Sequence, residues 1–421
     1  MSDPGAAKAR ETEVWRLGLL FGALYFLQGV GEPTEGLIAQ PARCLLKQWG
    51  RSDRDITTFM ALLAIPWSFK PVYGLLTDFV PIFGTRRKGY LLLASGATAV
   101  SLLGLFAFPV RQGSAVLLLG WLMVPAIAVA FADVATDALM VERSQPLGLT
   151  GPLQAVQWGC LYAAGIVTGL LGGALCEDQR EYGAFLICGL GGLVTFVLIH
   201  VCVREPARVR PPLHLSDFFR TLTSARSVLP IGVFLFLWNF NPFSNTVLHL
   251  HMTRALGFSE GFYGRTVAVT AIVSIAASAA YGLYCRRIPM SLLIHLSIVL
   301  GVVSTLGYAL MTDARSAFLV TVGVAFTYMT ATLIQMDLAA RTCPPETAGT
   351  IFALLMALEN LSASASTWLG GVVYDAGKDR WGSRGSFQVL VLIGSGLTAC
   401  CWLVVPWLPA SSDAVNSRSA G

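Results

Sequence analysis

About a dozen stretches of about 20 apolar residues, parted by short charged runs, leave this chain one kind of fold: helices that cross a lipid bilayer. A helix rising 1.5 Å per residue needs about 20 residues to cross roughly 30 Å of hydrocarbon. Composition agrees. Hydrophobic residues make up 55% of the 421 residues and charged residues 13%, and the mean hydropathy is +0.65. A soluble domain carries about 25% charge, so half of what a water-facing surface needs is missing. The 42 glycines suit close packing of membrane helices. A net charge of +5 points to no nucleic-acid partner. The 9 cysteines stand singly, mostly in apolar stretches (Cys160, Cys188, Cys202, Cys400, Cys401), without CxxC or Cys/His spacing; neither disulfides nor zinc are expected. The polar N-terminus lacks the apolar core of a cleaved signal peptide, so the first apolar stretch is expected to stay as a span.

The spans fall at about 16–38, 55–77, 89–109, 115–141, 151–175, 183–203, 228–250, 258–284, 289–311, 315–340, 346–374 and 386–408. The expected organisation is a cytoplasmic tail at 1–15, a six-helix bundle at 16–203, a basic cytoplasmic linker at 204–227, a second six-helix bundle at 228–408 and a disordered tail at 409–421. Six spans, a linker and six spans suggest duplication. The loop after span 2 (GLLTDFVPIFGTRRK, Gly74–Lys88) and the loop after span 8 (GLYCRR, Gly282–Arg287) both start Gly-Leu and end in paired arginines. With cytoplasmic termini, the basic residues favour the inside only slightly, because Arg43, Lys47, Arg51 and Arg54 precede span 2.

The most specific segment is KPVYGLLTDFVPIFGTRRKGY, Lys70–Tyr90. It joins an acid at a span end, a glycine- and proline-bearing turn and a basic triplet into a charged hinge. Asp78 can face a helix N-terminus of the other half, and Arg86 or Arg87 can reach Glu142 at the end of span 4. A plain positive-inside anchor would need the triplet but not Gly74 and Asp78. Arg143, Lys70 and Arg341 complete the set of candidate gate residues.

Gly74-x-x-x-Asp78 followed by basic residues resembles the loop motif of the major facilitator superfamily. Lys70-Pro71, Tyr73-Gly74, Asp78, Pro81, Gly84, Arg86-Arg87 and Tyr90 together resemble the folate–biopterin transporter family within it. So do Leu24-Tyr25-Phe26-Leu27-Gln28-Gly29, Asp133-Val134-x-x-Asp137-Ala138-Leu139-x-x-Glu142-Arg143, Leu256-Gly257-Phe258-Ser259, and Ala340-Arg341-x-Cys343-Pro344 with Gly349-Thr350-x-Phe352 and Asn360. The likeness runs from about residue 17 to 374. It implies an all-α major facilitator fold of twelve spans around a central cavity, carrying folate, pterin or a similar anionic heterocycle. Thr77 stands where the resemblance implies serine, and Glu359 where it implies a small or polar residue.

Asp133 and Asp137 lie four apart on one helix face. Acids at span depth are costly unless they meet water or a partner. Two nearby carboxylates suit proton uptake and release, and either could accept the paired N–H donors of a pterin's aminopyrimidine edge. The bland alternative is structural pairing with Arg143 or Lys70. Proton coupling is a hypothesis resting on these two acids. In span 1 stand Gln28, Glu32, Pro33 and Glu35; in span 7 stand Asn239, Asn241, Pro242 and Asn245. Matching proline interruptions in corresponding spans point to a transporter's binding site, although both prolines sit in the outer halves, where Glu32 and Glu35 could simply be wet. Trp238, Asn241, Asn245 and His249 read as a polar stripe. Gln154, Gln157 and Trp158 share a face of span 5 and could line the cavity or pair between helices. Trp67 and Phe69 could stack on a ring or serve as interface anchors. A folate cargo also needs a cation for its glutamate tail; Lys70 and Arg341 qualify, as subsite or as gate.

The expectation is a secondary carrier in the cell membrane (plasma or inner), monomeric, in contact with lipid and a small solute, with no cofactor, metal or catalytic residue. Rival readings are a major facilitator carrier for an unrelated metabolite or drug, and a non-transporting receptor or scaffold. An integral-membrane enzyme is disfavoured by the lack of HExxH and of a Ser/His/Asp set, with 5 scattered histidines.

Overall fold

The computed structural model describes residues 4–110, 114–144, 150–205, 229–284, 287–342 and 348–408. The expected linker beyond Glu205 and the tail at 409–421 lie outside them. The described residues are almost entirely helical, with one isolated β-bridge between Ile82 and Thr85. The helices are α1 (Pro4–Gly31), α2 (Ala39–Gln48), α3 (Asp53–Ala64), α4 (Lys70–Phe79), α5 (Lys88–Ala107), α6 (Ala115–Ser144), α7 (Thr150–Glu177) and α8 (Tyr182–Cys202), followed by α9 (Leu229–Asn239), α10 (Asn245–Leu250), α11 (Glu260–Tyr284), α12 (Met290–Gly307), α13 (Ala314–Thr342) and α14 (Ala348–Ala399). Among the described residues, 9 helices are long and apolar enough to cross a membrane. Four expected spans are not separate long helices. Span 2 is broken by the 3₁₀ turn Ile65–Phe69, which holds Pro66 at its start. Span 7 breaks after Asn239. Spans 11 and 12 run together through Gly382, whose φ of 67° only glycine adopts without strain.

Local breaks are satisfied from neighbouring helices, as they must be in lipid. Pro125 within α6 removes the N–H that would bond Trp121 O four residues back; Ser101 of α5 donates to that carbonyl at 2.7 Å. Ser52 caps α3 by accepting from Asp55 N at 3.1 Å, with Asp53 and Asp55 in the first turn facing the helix dipole.

The chain divides into two compact units: Met1–Leu45 with Val72–Pro211, and Leu46–Pro71 with Pro212–Gly421. In the first, α5 packs on α6 and α8, and α1 on α7. Phe21, Tyr25, Leu91, Ala135, Leu139 and Ile199 form its core. In the second, α12 packs on α13, α9 on α14, and α3 on α14. The α3–α14 approach is so close that a Cβ at Gly371 would collide with the Thr57 side chain. Branched residues such as Val100, Val116 and Leu193 are exposed on the rim, as lipid-facing positions are.

Two expectations are corrected. Cys44 of α2 and Cys176 at the end of α7 form a disulfide in the first unit, with Cα atoms 6.2 Å apart across 132 residues of sequence. Because α1 packs on α7, the segment leaving α1 is carried to the end of α7, a neighbourhood that spacing along the chain does not reveal. Cys160, Cys188, Cys202, Cys400 and Cys401 remain thiols. Second, the prolines do not interrupt two matching helices. Span 1 ends at Gly31, and Pro33 sits in the following turn, where the Glu32 carboxylate accepts Thr34 N at 2.9 Å and Glu35 N. Only Pro242 lies in a true break, so Trp238, Asn241, Asn245 and His249 do not share one continuous helix face.

Candidate functional site

The first unit gathers three helices around the two acids of α6. Counted from Ser144, Asp137 and Asp133 lie about 10 and 17 Å along the helix, within its membrane-crossing length. The Gln28 amide of α1 donates to Asp133 at 2.6 Å. The Tyr25 hydroxyl, one turn earlier on the same face of α1, donates to Asp137 at 2.6 Å, and the Gln157 amide of α7 donates to it at 3.1 Å. Tyr25 is fully buried and Asp133 only 7% exposed. Charge-assisted bonds of this length offset much of the cost of placing carboxylates at span depth. Sequence reading named Gln28, Asp133, Asp137 and Gln157, and the fold brings all four together. It missed Tyr25, although the three-residue step from Tyr25 to Gln28 nearly matches the four-residue step from Asp133 to Asp137 and could have signalled the pairing. Beside the cluster, Gln28 and Thr136 help line a cavity of about 50 Å³, enough for a few waters.

Other candidates stand elsewhere. Glu35 is exposed, and Glu32, 8% exposed, holds the turn after α1. Trp158 is exposed and tilts against Tyr162 at 6.0 Å. In the second unit, Asn241 ties the helix break together: it accepts from Phe243 N at 3.0 Å and donates to Thr305 Oγ1 at 2.9 Å. Asn245 opens α10 and is exposed. The side chains of Gln154, Asp78 and Arg341 lie outside the described residues.

The basic triplet is built into the end of the first unit. Arg87, 4% exposed, donates to Glu142 at 3.3 Å and to Thr77 Oγ1, and Arg86 lies 3.8 Å from Glu142. The backbone N–H groups of Arg86, Arg87 and Lys88 converge on the Glu205 carboxylate at 3.0, 3.0 and 2.9 Å. Glu205 thus caps α5 and meets the positive end of its dipole. Lys88 donates to His200 O and Val203 O at 2.9 and 2.7 Å, closing the end of α8, and Arg143 donates to Arg204 O. Glu205 escaped sequence reading because only tertiary packing brings it to the hinge. A Cβ at Gly74 would meet Val134 at an ordinary 3.8 Å, whereas Gly84 needs its φ of +71° for the turn.

The second unit holds its charges differently. Asp53, 1% exposed, is bound by both Arg254 and Lys378. Glu260 takes Lys47 and, at 2.7 Å, His249. Lys47 also donates to Thr253 at 2.8 Å. Lys47, one of the four basic residues before span 2, thus has an acid and a hydroxyl as partners in the second unit.

Fold and spans define a multi-pass α-helical membrane protein with the major facilitator fold. The structure matches a D-xylose–proton symporter with a TM-score of 0.71 at 15% identity, covering 94% of this chain and 99% of that one. It matches the nucleoside transporter NupG with a TM-score of 0.70 at 12% identity and the same coverage. The chain belongs to the BT1 family, whose sequence model matches residues 36–420. It is 31% identical over 379 residues to the folate-biopterin transporter of Synechocystis sp., covering 85% of this chain and 74% of that protein. It is 27% identical to probable folate-biopterin transporter 5 of Arabidopsis thaliana, covering 82% and 75%. Folate transporter 1 of Plasmodium falciparum is 23% identical, covering 76% and 65%.

Proposed function

We propose that this protein is a secondary carrier that moves folate, pterin or a similar anionic heterocycle by alternating access, with Asp133 and Asp137 as its proton-coupling and ligand-facing acids. The observation that carries the reading is the hydrogen-bonded set Tyr25, Gln28, Asp133, Asp137 and Gln157 at span depth in a chain of this family. A carboxylate offers a fork of acceptors to the paired N–H donors of an aminopyrimidine. The amide and hydroxyl donors can stay hydrogen-bonded whether a carboxylate is ionised or protonated, since an amide also accepts and a hydroxyl reverses its role. That permits proton uptake without abandoning a buried charge.

Arg86, Arg87, Glu142 and Arg143 are proposed gate residues, together with Lys70, Gly74, Asp78 and Arg341. The two-bundle organisation, a monomeric state and residence in the cell membrane belong to the same proposal. The disulfide supports an orientation with the ends of α1 and α7 in an oxidising compartment and the N-terminus on the reducing side. The deciding experiment is uptake of labelled folate and biopterin into proteoliposomes under an imposed pH gradient. Saturable uptake of either is expected. Uptake of neither, with robust flux of an unrelated metabolite, overturns the cargo; no flux of any solute favours a receptor or scaffold.

A further inference from the structure

The second unit carries a cation and an acid that the α6 cluster does not use. Lys70 opens α4 directly after the break at Ile65–Phe69, and its ammonium lies 4.6 Å from the centre of the Trp67 ring. Glu359 of α14 is hydrogen-bonded by the Asn239 side chain and lies within electrostatic reach of Lys70. Its neighbour Asn360 donates to Trp67 O at 3.3 Å, fixing the backbone that presents the ring. Counted from Phe79, Leu229 and Ala348, the residues Lys70, Asn239 and Glu359 lie about 14, 15 and 16 Å along their helices. Two of those helices are interrupted beside the residue concerned, the pattern that marks ligand sites in carriers. A lysine within reach of a buried acid is costly to retain inside spans unless the two have work to do.

We propose that Lys70 and Trp67 form a subsite for an aromatic ring bearing a carboxylate arm, and that Glu359 is the internal counterion which the incoming carboxylate displaces. The ring face of Trp67 takes the flat group while the ammonium takes the carboxylate. Asn239 keeps Glu359 hydrogen-bonded after displacement, so the charge count at Lys70 is the same with and without cargo. The choice of cargo rests on the carrier reading above; the test does not.

The test is thermal stability of the purified full chain with p-aminobenzoylglutamate, and with p-aminobenzamide as the carboxylate-free control. The carboxylated probe is expected to raise the melting temperature of the unaltered protein and the control is not. Lys70→Gln should weaken the carboxylated probe roughly tenfold to hundredfold, Lys70→Arg should restore part of the effect, and Glu359→Gln should tighten the probe several-fold by removing its competitor. No shift in the unaltered protein, or an equal shift in Lys70→Gln, overturns the subsite. An unchanged affinity in Glu359→Gln overturns the displacement, and this holds even if Lys70→Gln does not fold. If neither folate nor biopterin is taken up while the probe shift persists, the cargo reading fails and the subsite stands.

Discussion

Two acids in the first unit and two in the second are held in opposite ways. In the first, Asp133 and Asp137 are held by the amides of Gln28 and Gln157 and the hydroxyl of Tyr25. In the second, Asp53 is held by Arg254 and Lys378, and Glu260 by Lys47 and His249. A donor that carries no charge tolerates either protonation state of its partner, while an ion pair loses most of its attraction once one member is neutralised. The contrast separates acids suited to a cycle from acids suited to holding a packed arrangement, here the seating of α3 on α14.

That contrast can be broken by substitution. The largest effect is expected from replacing both Asp133 and Asp137 by Asn. Gradient-driven uptake should fall by about a hundredfold or more, with the melting temperature little changed because amides keep the hydrogen-bonded set; unchanged pH-dependent uptake removes the coupling role. Asp53→Asn should act on stability, costing about 2–3 kcal/mol. That is less than the loss for a fully buried pair, because Arg254 and Lys378 are partly exposed; a wild-type melting temperature would erase the distinction. Cys44→Ser should cost about 2 kcal/mol and leave Cys176 open to maleimide labelling, whereas labelling of Cys176 in the unaltered protein without reductant would contradict the disulfide. Tyr25→Phe should weaken uptake about tenfold by taking one hydrogen bond from Asp137, read as a change in KM or kcat at fixed expression. The smallest effect belongs to Glu142→Gln. Its carboxylate is 41% exposed, so about 0.5 kcal/mol is at stake, and a larger loss of stability would move that pair from gate to scaffold.

Much of the cluster was legible beforehand because it obeys local rules. The four-residue spacing of Asp133 and Asp137 declares a shared helix face, and a charge inside an apolar stretch declares that something must meet it. Tyr25 was overlooked because a tyrosine in an apolar helix reads as core, which it also is: its ring is buried while its hydroxyl reaches Asp137. Glu32 stands beside Pro33, where the sequence offers either a ligand role or a wet carboxylate, and in the structure it holds the turn that ends α1. A carboxylate two residues before a backbone N–H has a partner nearby, and the side chain takes it.

From the amino-acid order alone came the membrane, most of the spans, the acid-bearing face of α6 and the basic hinge before α5. Each depends on hydropathy or on neighbours within a turn or two, so short-range physics decides it. Tertiary structure alone decided the Cys44–Cys176 bond, the union of α3 with α14, the Lys47–Glu260 pair and the cap that Glu205 places on α5. Those contacts join residues from about 120 to more than 300 positions apart, and which of them meet is set by how uniformly apolar helices interlock, where small residues such as Gly371 permit close approach.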